Sequence, residues 1–128
     1  MRCTIGNPRI LDLPRISYMG YIQIENSTPD LIYLDIVSGN VSGHIYDGTK
    51  PGQFLLKMAV KGSYDINTQS IFFNQVVSLP IVPLAFSGVV YSTNIPDRIG
   101  LYGTVRRGFL PFGGDVQNWY AIMDPVVR

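Results

Sequence analysis

Four glycines stand inside runs that otherwise form strands: Ser42-Gly43-His44-Ile45-Tyr46, Lys61-Gly62-Ser63-Tyr64, Ser87-Gly88-Val89-Val90-Tyr91 and Tyr102-Gly103-Thr104-Val105. A strand interior disfavours glycine, which adds backbone entropy and packs nothing. Where it recurs there, it marks a bulge, a bend or a close approach of backbones. Repeated over successive strands, it is the device by which a sheet coils tightly or closes. The pattern predicts a barrel or a strongly curved sheet.

Apolar residues recur at every second position, the period of a half-buried strand, and helical periodicity is nearly absent. In residues 54–65, Leu56, Met58, Val60, Gly62 and Tyr64 share one face, and Lys57, Lys61, Ser63 and Asp65 the other. The spacing predicts strands at 16–25, 31–37, 40–47, 54–65, 69–77, 83–92, 98–106 and 117–124. Turn chemistry separates them: Ser38-Gly39-Asn40 reads as a tight hairpin, and Asp30, Asp47, Asp65 and Asp97 fall where carboxylates serve the backbone. Short sequential hairpins predict an eight-stranded antiparallel up-and-down barrel, whose closure removes exposed edges. The alternative is a two-sheet β-sandwich, which the Pro80–Pro83 interruption favours.

The 128 residues suffice for one domain, with 1–15 as an extended arm and 107–118 as a long apolar loop. Net charge is +1, with no basic block beyond Arg106-Arg107, which argues against nucleic acid as partner. Charged residues make up only 15%; either polar uncharged side chains cover the surface, or other subunits do. No apolar run is long enough to span a membrane as a helix. The N-terminal stretch does not read as a signal peptide, so a cytoplasmic location is the default expectation. Cys3 is the only cysteine, which rules out an internal disulfide.

His44 is the only histidine, so a histidine-built metal site is excluded. Asp35 interrupts the apolar run Leu31–Val37 and must face solvent or be paired inside. No paired carboxylates, nucleophile elbow or phosphate cradle can be read, so no catalytic residue, metal or cofactor is assigned. The eight tyrosines all fall on expected strands. Packing explains most of them, although ring and hydroxyl together also suit pockets and interfaces. Phe109, Leu110 and Phe112 crowd a glycine-flanked loop that must either plug a barrel end or dock on a neighbour.

The layout from Tyr18 to Arg128 resembles the avidin-like barrels of the calycin group. Gly20-Tyr21, Asn26-Ser27, Ser42-Gly43-His44-Ile45-Tyr46, Phe86-Ser87-Gly88 and the stretch Gly113 to Ala121 stand where such chains carry related motifs. The resemblance implies a small barrel assembled as a dimer or tetramer, with Trp119 reaching a neighbouring subunit. Plugging a barrel end is the alternative role for Trp119. The tryptophans that wall a biotin site are missing, since Trp119 is the only one.

Two function classes follow. One is a non-enzymatic, homo-oligomeric binding barrel that holds a small apolar ligand at its mouth. Its candidate lining is Tyr21, His44, Tyr46, Phe72, Tyr102 and Trp119, and its candidate interface is Phe109, Phe112 and Trp119. The other is an interaction module with a packed barrel, which meets proteins or glycans on its outer surface. A small barrel enzyme ranks third for want of an acid/base pair.

Overall fold

The computed structural model describes residues 15–50, 52–78, 80–107 and 116–126. Phe109 and Phe112, with most of the 107–118 loop, lie outside the described residues, as does the arm up to residue 14. The chain forms β1 (Arg15–Ile24), β2 (Asp30–Val37), β3 (Asn40–Tyr46), β4 (Leu56–Asp65), β5 (Ser70–Gln75), β6 (Leu84–Ser92), β7 (Ile99–Arg107) and β8 (Gln117–Pro125). Each strand pairs antiparallel with the next, and β1 pairs with β8, closing an up-and-down barrel. The sheet does not split at Pro80–Pro83: β5 and β6 stay paired on either side of that connection, from Ser70↔Val89 to Asn74↔Ala85.

Turn chemistry acts where the sequence places it. Ser38 and Gly39 both have positive φ, as the tightest hairpin turns require at their two central residues. Asp47 and Asp65 accept hydrogen bonds from the backbone amides of Thr49 and Asn67. The fourth strand starts later than the periodicity suggests because Phe54 adopts φ 51°, which is incompatible with an extended chain. Similarly, Gln69 at φ 57° delays β5.

The inner wall is a packed core. Tyr18, Ile32, Leu34, Val60, Ile71, Phe73, Phe86, Leu101, Trp119 and Met123 are fully buried. Gly43, Gly62, Gly88 and Gly103 all face inward, as Val41 and Ile45, Val60 and Tyr64, Phe86 and Val90, and Leu101 and Val105 beside them do. A Cβ on Gly62 would collide with the Phe72 carbonyl oxygen, and one on Gly103 with that of Ser87. The strands are therefore coiled so tightly at these points that a side chain would strike the neighbouring backbone.

Gly88 and Gly103 are paired with each other, and Gly103 also faces Trp119 across β7–β8. The room they leave is filled by the indole of Trp119, which rests edge-on against Phe73 and Phe86 at 5.6 and 5.8 Å between ring centroids. Its Nε1 donates to the carbonyls of Thr104 at 3.0 Å and Ser87 at 3.3 Å, each next to one of these glycines. The one polar atom of the indole is thus satisfied inside the barrel.

At the end where β1–β2 and β3–β4 connect, buried Asp30 accepts hydrogen bonds from the Gly48 amide and the Lys57 ammonium. The β3–β4 register slips between Ile45↔Met58 and Tyr46↔Leu56. Lys57 is therefore left unpaired in the ladder, and its side chain ties the connection to the start of β2.

Candidate functional site

The residues expected to line one ligand pocket are divided between two walls. Trp119 is inside and 1% exposed, so its ring has no surface to offer a neighbouring subunit. Tyr21, Phe72 and Tyr102 are outside and 60%, 39% and 55% exposed. Tyr46 is half-buried near the rim, with His44 at 6.1 Å and Phe54 at 6.3 Å between ring centroids. Of that set only His44 and Tyr46 are in ring contact, while Tyr21 and Tyr102 share an outer face without touching the others. Tyr18 and Phe73, close to Tyr21 and Phe72 in sequence, face inward instead, as do Tyr64, Phe86 and Trp119.

Two features stand out on the outer wall. The first is a tyrosine face on β6, β7, β8 and β1. Tyr102 lies opposite Tyr120 across β7–β8, and Tyr120 opposite Gln23 across β1–β8, where its hydroxyl donates to Gln23 Oε1 at 2.6 Å. In the adjoining row Tyr91 faces Gly100, Gly100 faces Ile122, and Ile122 faces Tyr21. The Tyr91 ring lies over Gly100 and meets Tyr102 at 5.7 Å. Tyr21, Met19, Tyr91, Tyr102 and Tyr120 are all exposed. Arg98 and Asp124 bound the face as a two-pronged ion pair, at 2.8 and 3.0 Å. Those hydrogen bonds from Arg98 hold the Asp124 carboxyl below its ordinary range.

The second feature is a groove of about 230 Å³ over β2, β3 and β4, lined by Tyr33, Asp35, Ser42, Gly43, His44, Ala59, Val60, Lys61 and Val76. Asp35, Ser42 and Lys61 are cross-strand neighbours in one row, and Tyr33, His44 and Ala59 in the next. Asp35 faces outward and is paired there: Arg15 donates to it at 3.2 Å and the Ser17 hydroxyl at 2.8 Å. In the closed ring β3 lies opposite β7, so groove and tyrosine face look in opposite directions.

Among the described residues, no group of three or more His, Cys, Asp or Glu side chains could hold a metal ion. Nor is any helix long and apolar enough to cross a membrane. Comparison with known protein families, characterised proteins and solved structures returns no match. The barrel implied by the avidin-like layout is present, and the class it defines is a small closed antiparallel β-barrel.

Proposed function

We propose that the chain is a non-catalytic interaction module whose packed barrel serves as a rigid support, and that its tyrosine face joins a second copy. The observation that carries this reading is the placement of exposed aromatics. Tyr21, Tyr91, Tyr102 and Tyr120 lie in adjoining rows on four neighbouring strands, with Met19 beside them. Contiguous exposed apolar surface is unusual on a monomer, and tyrosine is enriched where proteins meet. Fully buried aromatics contribute roughly 150–250 Å² each, so these half-exposed side chains supply about half of the ~800 Å² per partner of a standard interface. Gln23, Thr104 and the Arg98–Asp124 pair provide a polar rim.

The eight-stranded up-and-down order is compatible with an avidin-like kinship. Biotin, or an apolar ligand at the barrel mouth, receives less support, because the aromatics inside are packed on one another. Sedimentation velocity from low to high micromolar concentration tests the reading. The wild type should self-associate, and the doubly substituted Tyr102→Lys, Tyr120→Glu variant, whose opposite charges face each other across β7–β8, should sediment as a monomer with a melting temperature close to that of the wild type at a concentration where it is monomeric. A wild type that stays monomeric throughout contradicts the proposal.

A further inference from the structure

We infer that the groove over β2, β3 and β4 binds a small organic carboxylate with a compact apolar body. This site is independent of the pairing of copies, since it lies on the opposite wall.

The groove follows from the way the barrel closes. Gly43 faces inward, where a Cβ would strike the Tyr33 carbonyl oxygen, so β2 and β3 approach closely at this point. Just beyond it, the β3–β4 register slips between Ile45 and Tyr46. The β5 strand ends at Gln75, and the Val76 amide turns back to the Ala59 carbonyl at 2.8 Å, placing Val76 on the groove's margin. The concavity is therefore set by backbone geometry rather than by a mobile loop.

Its lining is mostly apolar with a few polar groups, the usual composition of a small-molecule site. The polar groups are unequal. Asp35 is occupied by Arg15 and Ser17. Lys61 stands two strands away in the same row, ~10 Å at the usual strand spacing, and forms no ion pair with it. The Lys61 ammonium and the Ser42 hydroxyl have no hydrogen-bond partner among the described residues. The groove thus offers one uncompensated cation and an adjacent hydroxyl, beside a shelf formed by Tyr33, His44, Ala59 and Val76.

That combination suits a single negative charge joined to a small apolar group. A carboxylate would accept from Lys61 Nζ and Ser42 Oγ while its body rests on the shelf. A phosphate monoester would bring a second charge that the one free ammonium does not balance, since Arg15 is already engaged by Asp35. The volume lies below the usual range for drug-sized ligands, so the occupant is about the size of benzoate, and binding should be weak, on the order of millimolar.

The test is a titration of the ¹⁵N-labelled full chain with sodium benzoate, followed by amide chemical shifts. Saturable shifts are expected at Gly43, His44, Ala59 and Lys61. Benzamide, which keeps the body and loses the charge, should bind at least about fivefold more weakly, as should benzoate with the Lys61→Gln variant. Arg106→Gln, which alters a cation outside the groove, should leave the affinity unchanged. The inference is overturned if benzamide binds as well as benzoate, if Lys61→Gln has no effect, if sodium sulfate at equal ionic strength reproduces the shifts, or if no saturable shift appears. Lys61 is exposed, so its substitution should preserve the fold, and an unchanged spectrum away from the groove verifies this.

Discussion

The inner and outer walls of this barrel are made by the same strands, yet aromatic side chains serve opposite ends on them. Inside, Trp119, Phe73 and Phe86 pack on one another, and the indole N–H is satisfied by carbonyls beside two glycines. Outside, Tyr21, Tyr91, Tyr102 and Tyr120 cover strands that need no further packing. An aromatic ring stabilises a fold mainly through the surface it removes from water and the groups it packs against. The inner rings are therefore committed to stability, and the outer ones remain available for a partner.

The largest expected effect belongs to the inner wall. Trp119→Ala empties the space over Gly88 and Gly103 and should cost about 3–5 kcal/mol, measured by urea unfolding. Next comes Gly62→Ala, whose Cβ falls on the Phe72 carbonyl. A backbone shift costing about 1–3 kcal/mol is expected, and a neutral result would remove the argument that glycine enforces closure. On the outer wall, Tyr102→Ala should change unfolding stability by less than about 0.5 kcal/mol at a concentration where the protein is monomeric. A loss comparable to that of Trp119→Ala would erase the distinction between the walls.

The smallest effect concerns pH. Burial, reinforced by Asp97 and Tyr64, raises the Tyr18 hydroxyl well above its ordinary value near 10. In alkali the unfolded chain releases this proton while the folded chain retains it. Stability should therefore be complete below about pH 10 and decline above it. The Tyr18 hydroxyl has no hydrogen-bond partner among the described residues, so Tyr18→Phe should cost little at neutral pH and flatten the alkaline decline in melting temperature. An equally steep decline in Tyr18→Phe would assign it to other groups.

The barrel was legible in the sequence because its cause is local. Mid-strand glycines and period-two alternation both act within a few residues, and the inward face of 54–65 follows from Val60, Gly62 and Tyr64 alone. The facing of the aromatics was harder to read, because they occur in consecutive or closely spaced positions: Phe72 with Phe73, Trp119 with Tyr120, Tyr18 with Tyr21. A shift of one residue exchanges inside for outside. The usable signal was the glycines themselves. All four face inward, so counting by twos from Gly43, Gly62, Gly88 and Gly103 marks the core phase and leaves Tyr91 and Tyr102 outside.

The role of Asp30 was not legible. It reads as a turn residue, yet it anchors Lys57, which lies 27 positions later. The groove depends likewise on registers between three strands, so Asp35, Ser42, His44 and Lys61 become neighbours only once β2, β3 and β4 pair.

The most direct test is tyrosine nitration read by peptide mass spectrometry at low and high protein concentration. The account predicts that Tyr18 stays unmodified at both. Tyr21, Tyr91, Tyr102 and Tyr120 should react at low concentration and become protected at high concentration, while Tyr33 and Tyr46 keep a constant rate. Nitration of Tyr18 as fast as Tyr102, or equal reactivity of the four outer tyrosines at both concentrations, would contradict it.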